Sequence, residues 1–174
     1  NCGILNLQID GQQTSNQGGG TAPSNGLAGV HLMAASTRCL VANCYIRRWG
    51  ASGDTSSRRN DGILLGENSQ TADSGILLLN NLFDNCCRNG VAVINAKQVI
   101  VQGNRLVNTA VATLNAAIDI ESDSTASTVL QDVTIVGNIV GQTGSSFRSL
   151  YGINFVTDKT IATNPSSDQS NVTI

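Results

Sequence analysis

This sequence is poor in charge, in aromatic rings and in lysine. Charged residues make up 13% of the 174 positions and aromatics 3%, against about 25% charged in an average soluble domain. Lysine occurs only at Lys97 and Lys159. A helical bundle or coiled coil would be rich in Ala, Glu, Lys and Leu, so that class is excluded. The shortage of rings excludes a large aromatic core. Ten scattered basic residues and a net charge of −2 exclude recognition of a phosphate backbone, so no nucleic-acid partner is expected. No run of 18 apolar residues is present, so no membrane span is expected. Disorder is excluded too, because hydrophobics reach 40% and the charge is low. Five cysteines cannot all pair with one another. Small buried thiols are the expectation, and the redox compartment stays open.

Asn and Gly are abundant, at 19 and 18 residues, and their placement is periodic. One phrase is Gly or Ala, apolar, any residue, apolar: Gly29-Val30-His31-Leu32, Gly62-Ile63-Leu64-Leu65, Gly90-Val91-Ala92-Val93, Ala117-Ile118-Asp119-Ile120 and Gly152-Ile153-Asn154-Phe155. A second phrase follows the first four: Leu40…Asn43…Tyr45, Leu78…Asn81…Phe83, Val101…Asn104…Leu106 and Ile135…Asn138…Val140. Alternation with period two means strands. The Asn-to-Asn steps are 38, 23 and 34 residues. The shortest fits one circuit of a three-sided coil of short strands, and the longer steps add loops rich in Ser, Thr, Asn, Gly and Asp. Stacking such coils about 4.8 Å apart gives a solenoid with one continuous core. Asn tolerates the left-handed conformation at a sharp corner and can bond its counterpart above and below. Asn43, Asn81, Asn104 and Asn138 therefore read as an Asn ladder. Asn85, Asn108 and Gln142 read as a second polar column, broken by Arg47. Val30/Ile63/Val91/Ile118/Ile153 and Tyr45/Phe83/Leu106/Val140 read as core columns.

These phrases resemble a known family. Asn6-Leu7-Gln8-Ile9-Asp10-Gly11, Asn43-Cys44-Tyr45-Ile46 and Asp61-Gly62-Ile63 are similar to successive coils of the pectate-lyase-like superfamily, which includes the β-helix domains of phage tailspikes. The resemblance implies an all-β, right-handed parallel β-helix of about five to six coils with uncapped ends. It spans residues 1–174 as a single segment, with loop insertions near 12–26, 51–60, 122–132 and 157–170. Asn1-Cys2-Gly3 at one end and Asn171-Val172-Thr173-Ile174, which matches Asp132-Val133-Thr134-Ile135, at the other read as points inside a longer chain. Of the polygalacturonase signatures in this superfamily, Arg59-Asn60-Asp61 keeps the Asp, while Arg88-Asn89, Asn115-Ala116-Ala117 and Asn154-Phe155-Val156 depart. The alginate-epimerase signature is absent at 61–66.

Within the first strand of each coil, the residues between core positions face outward: His31, Leu64, Ala92, Asp119 and Asn154, with Met33, Gly66, Ile94, Glu121 and Val156 beside them. Asp119 and Glu121 share one face, roughly 6–7 Å apart by strand rise, which suits an acid and base for glycoside cleavage. Asp61 is a further catalytic candidate. Asp123 can join Asp119 and Glu121 on a Ca²⁺ ion, although no cofactor is required. The plainer reading is solvated carboxylates that keep a sheet face soluble. Around one loop, Arg47, Arg58, Arg59 and Trp49, with His31 elsewhere, are the candidate substrate-binding residues: sugars stack on indoles and Arg grips carboxylates in bidentate fashion. The plainer reading there is a core-capping Trp49, solvated arginines and a structural His31. Apolar outward residues Met33, Leu64, Ile94, Val156, Leu77 and Leu79 predict a covered face, through a neighbouring subunit of a homotrimer or a missing segment of the same chain. The expected function is recognition of an extracellular polysaccharide, extending to its cleavage, on a phage tailspike or tail fibre. The alternatives are a structural β-helix of a virion or cell surface, and a secreted polysaccharide lyase or glycoside hydrolase. An extracellular or virion-surface location follows in each case.

Overall fold

The computed structural model describes residues 1–11, 28–33, 35–49, 61–66, 71–86, 88–107, 116–121, 128–141, 151–156 and 168–174. Among them all regular structure is β. No helix there is long and apolar enough to cross a membrane. The chain begins with β1 (Cys2–Leu5), β2 (Gln8–Asp10) and β3 (Val30–Leu32). It continues through β4 (Thr37–Ala42), β5 (Tyr45–Trp49) and β6 (Ile63–Leu65), then β7 (Asp73–Leu79), β8 (Leu82–Cys86) and β9 (Val91–Val93). Next come β10 (Ala96–Gln102), β11 (Arg105–Val107) and β12 (Ala116–Glu121), then β13 (Val129–Val136), β14 (Ile139–Gly141), β15 (Tyr151–Val156) and β16 (Asp168–Thr173).

Every strand pairs in parallel with the strand three places along. Sheet A is β1-β4-β7-β10-β13-β16, sheet B is β2-β5-β8-β11-β14, and sheet C is β3-β6-β9-β12-β15. Each trio of strands thus forms one rung that visits the three sheets in the same order. Strands stacked in register this way are consistent with a parallel β-helix. The expected core column Val30/Ile63/Val91/Ile118/Ile153 is in register throughout, and Val133 pairs with Val172 as the terminal repeat predicts. One core cluster runs through the rungs, with Ile46, Ile63, Ile76, Phe83, Leu106 and Ile118 fully buried. Burying each such side chain is worth about 1.5–3 kcal/mol.

The Gly of the first phrase has a steric cause. A Cβ on Gly62 would lie 2.6 Å from the Gly90 carbonyl oxygen and 2.7 Å from the Phe83 ring, and one on Gly29 would lie 2.7 Å from the Gly62 carbonyl oxygen. On these rungs the corner leaves no room for a Cβ.

The second phrase is corrected by one residue on its first rung. Asn6, Asn43, Asn80, Gly103 and Gly137 form a left-handed column with φ between 53° and 64°. The position after each is the amide ladder. There the backbone N–H groups of Cys44, Asn81 and Asn104 donate to Oδ1 of Asn81, Asn104 and Asn138 at 3.0, 2.9 and 2.9 Å. Nδ2 of the same three side chains donates back to the carbonyls of Val41, Leu78 and Val101 at 2.9, 2.9 and 2.8 Å. Asn43 therefore belongs to the left-handed column, and Cys44 takes the ladder position on its rung. The core partner of Phe83 is Ile46, not Tyr45, since a one-residue slip turns a side chain to the opposite face. The second polar column shifts in the same way: Arg48 stands level with Asn85, while Arg47 pairs with Asp84. Both Arg48 and Asn85 are left-handed, at φ 53° and 58°. Asn108 and Gln142 lie outside the described residues.

Three other expectations change. The stretches 122–132 and 157–170 are not loop throughout, because β13 starts at Val129 and β16 at Asp168. Left-handed Asp132, level with Arg38, Gly75 and Gln98 in sheet A, lets a polar stretch continue as strand. Cys2 and Cys39 are not free thiols but a disulfide joining directly paired positions of β1 and β4. Cys44 and Cys86 are buried thiols, as expected; Cys87 lies outside the described residues. Finally, Leu64 and Ala92 sit outside the core cluster yet are 0% and 1% exposed, so the chain itself covers that part of sheet C. Leu77 and Leu79 are half-buried. Among the described residues, the exposed large hydrophobics are Leu5, Leu7 and Met33 toward the start and Val136, Ile139, Val140, Phe155 and Ile174 toward the end.

Candidate functional site

The outer column of sheet C runs His31, Leu64, Ala92, Asp119, Asn154, as the repeat predicts. Alternation between core residues Ile118 and Ile120 turns the Asp119 side chain away from the core cluster. It is nevertheless buried, at 7% exposure. Its Oδ1 accepts from Asn154 Nδ2 at 2.8 Å and its Oδ2 from Asn89 Nδ2 at 3.4 Å. Burial pushes the Asp119 carboxyl up, and the Asn154 hydrogen bond, the Arg88 charge and the Asn89 hydrogen bond restrain the rise.

Asp61 precedes β6 at the corner between sheets B and C and is fully buried. Its Oδ1 accepts the backbone N–H of Asn89 at 3.1 Å, and its Oδ2 meets Arg88 Nη1 at 3.4 Å. Burial pushes the carboxyl up to about 6; Arg88 and the Asn89 N–H oppose this, and the Asp119 charge adds to it. The other end of the Arg88 guanidinium reaches Glu121 Oε2 at 3.8 Å. Glu121 is the accessible member, with its side chain 44% exposed. Asn89 ties the group together, because its Oδ1 also accepts the Ala116 N–H at 3.1 Å. Asp61, Asp119 and Glu121 are therefore one network joined by Arg88 and Asn89. The solvated-carboxylate reading does not describe Asp61 or Asp119.

The remaining candidates lie apart. His31 shares the column of Asp119 but stands three rungs away, about 14 Å by strand spacing, with Leu64 and Ala92 between. Its charge bears instead on Asp73. Burial raises that carboxyl, and the backbone N–H groups of Ser36 and Gly66, together with His31, pull it back. Arg47 and Arg48, on sheet B, both grip Asp10: Arg47 Nε and Nη2 at 2.9 Å, Arg48 Nε at 2.9 Å, and Arg48 Nη2 as well. Tyr45 donates to Asp84 Oδ2 at 3.1 Å, and the Arg47 guanidinium lies 5.3 Å from the Tyr45 ring centre. Two arginines and two aspartates make this patch an electrically balanced unit. An anionic sugar there has to compete with Asp10. The Trp49 backbone pairs with Cys86; its side chain, and Arg58, Arg59 and Asp123, lie outside the described residues. No group of three or more His, Cys, Asp or Glu suited to a metal ion occurs among the described residues. The Ca²⁺ expectation depends on Asp123.

Arg88 and Asn89 were legible in the sequence only as departures from the polygalacturonase pattern. The usable signal was position: both lie one repeat beyond Asp61, immediately before Gly90. No family model matches this chain, and neither a curated protein nor a solved structure matches it.

Proposed function

We propose that this chain is part of a right-handed parallel β-helix of the pectate-lyase-like kind, with about five to six coils, and that it binds and cleaves an extracellular polysaccharide as part of a trimeric phage tailspike or tail fibre. The observation that carries this reading is the Asp61–Arg88–Glu121 network with Asp119 beside it. Glycoside hydrolysis uses two carboxyl groups held in unlike environments, one kept protonated and one ionised. Asp61, fully buried with its carboxyl pushed up to about 6, and Glu121, whose side chain is 44% exposed, are two carboxyl groups in unlike environments linked by one guanidinium. No cofactor is needed for that chemistry. The Cys2–Cys39 disulfide adds support for an extracellular location, because disulfides persist in oxidising compartments.

A second reading has its own observation. Asp61 and Asn89 each accept a backbone N–H from the following rung, which is a structural task, so a non-catalytic β-helix of a virion or cell surface would also use them. A glycan array combined with a reducing-end release assay separates the two. Under the first reading the native chain binds and releases ends, and Asp61→Asn and Glu121→Gln lower release by at least about 100-fold, the scale of lost acid–base catalysis. Release unchanged in both variants ends the enzyme reading, binding without release leaves polysaccharide recognition alone, and neither binding nor release leaves the structural reading.

A further inference from the structure

We propose that Arg88 is a positioning residue that sorts one proton between two carboxyl groups: a proton on Asp61 releases the guanidinium to Glu121 and holds Glu121 ionised. This rests on the cleavage reading above and assigns its roles, Asp61 as the acid and Glu121 as the ionised partner. The shape of the contact carries the argument. One end of the guanidinium, Nη1, stands 3.4 Å from Asp61 Oδ2, and the other, Nη2, stands 3.8 Å from Glu121 Oε2. Charge-assisted bonds of this type close to about 2.7–2.9 Å. The cation is therefore divided between the two carboxyl groups and fully closed on neither.

The two groups depend on that cation unequally. Asp61 is fully buried, and the Asn89 N–H on its Oδ1 is a neutral contact, so its ionised form leans on Arg88. Glu121, the last residue of β12, meets solvent, so its charge is hydrated as well as paired. The charges that bear on Asp61 are Arg88, which lowers its protonation point, and Asp119, which raises it. Asp119 feels the same cation, but its two oxygens are taken by the neutral amides of Asn154 and Asn89. When Asp61 takes a proton from solvent, its pull on Arg88 falls away and the charge turns to Glu121. Linkage makes the effect reciprocal: ionised Glu121 draws the cation outward and favours the proton on Asp61. One proton thus creates a buried acid and an ionised partner together, the division that glycoside cleavage uses.

The test is an NMR titration of the native chain with labelled carboxyl carbons and arginine nitrogens. It needs no substrate, so it stands or falls separately from the release assay. The Asp61 carboxyl is expected to titrate near 6, and the Arg88 side-chain nitrogens to shift at the same midpoint. Glu121→Gln, made on the accessible side, should lower the Asp61 midpoint by at least about half a pH unit, because the guanidinium then turns to Asp61. Asp61→Asn should abolish the Arg88 step, and Asp119→Asn should leave it in place. Three results overturn the proposal: an Asp61 midpoint that Glu121→Gln leaves unmoved or raises, Arg88 nitrogens that do not follow Asp61, or an Arg88 step that survives Asp61→Asn or is lost in Asp119→Asn. The expected coupling in a chain that releases no ends supports the proton sorting and overturns only the roles in cleavage.

Discussion

At the corner between sheets A and B, neighbouring rungs are joined by Asn81, Asn104 and Asn138, each accepting a backbone N–H and returning one of its own to a carbonyl. At the corner between sheets B and C, Asp61 and Asn89 accept the N–H of the next rung in a similar way. The first corner uses a neutral side chain at each of these rungs and needs nothing further. The second buries a carboxylate, which raises its own protonation point to about 6 and draws in Arg88. A neutral amide closes a corner adequately, so the carboxylate at Asp61 adds something that corner-making does not require. Asp73 is the instructive third case: also buried, it is held by two backbone N–H groups rather than an arginine. What distinguishes Asp61 is its connection, through Arg88, to the accessible Glu121.

The contrast breaks most severely if a charge is placed in the neutral column. Asn104→Asp keeps the shape but buries a carboxylate among amide and carbonyl groups, and we expect a loss of about 3–5 kcal/mol at pH 7. Denaturant unfolding should show part of that loss recovered near pH 4, where the carboxyl is protonated. Arg88→Met attacks the other corner by removing the cation that holds Asp61 and Asp119 down. A loss of about 3 kcal/mol is expected at pH 8, shrinking at pH 5 as Asp61 takes up a proton. An equal loss at both pH values would show that Arg88 contributes packing alone.

The mildest change, Asp61→Asn, makes the second corner resemble the first. In the native chain the folded carboxyl titrates near 6 and the unfolded one near 3.9. The folded state therefore holds the extra proton between those values, and stability falls as pH rises from about 4 to about 6, by at most about 3 kcal/mol. Asp61→Asn should flatten that slope and raise stability at pH 8 by about 1 kcal/mol, net of the lost Arg88 pairing. A slope that survives the substitution assigns the titration to another group. Combined with the release assay, this variant also sharpens the functional question: a more stable protein with lost activity is the mark of a working carboxylate.

The sheet C repeat was legible because its core, outer, core alternation holds at every rung, and at Gly29 and Gly62 the small residue before it has a steric cause. The Asn repeat was legible to within one residue. Two adjacent positions both favour Asn, one for left-handed backbone and one for ladder bonding, and only Asn80-Asn81 holds both. Asn43 satisfies the first and was read as the second. The disulfide was hidden by the same slip. Cys2 and Cys39 are 37 residues apart, the separation that also aligns Ile9 with Ile46, but it emerges only once the first rung is in register. The bridging role of Arg88 was illegible for a different reason. Its role depends on which neighbours a corner brings to its two ends, and no periodicity encodes that.

The left-handed column beside the ladder has a consequence for how such a chain can change over generations. Cys44 and Asn81, Asn81 and Asn104, and Asn104 and Asn138 are bonded neighbours in space although 37, 23 and 34 residues separate them. Because the corner is set by one backbone conformation and one amide, the residues inserted elsewhere in a rung leave the stacking height untouched. Insertions and deletions between rungs are thus inherited without cost to the frame, and new binding surfaces can be tried on an unaltered scaffold.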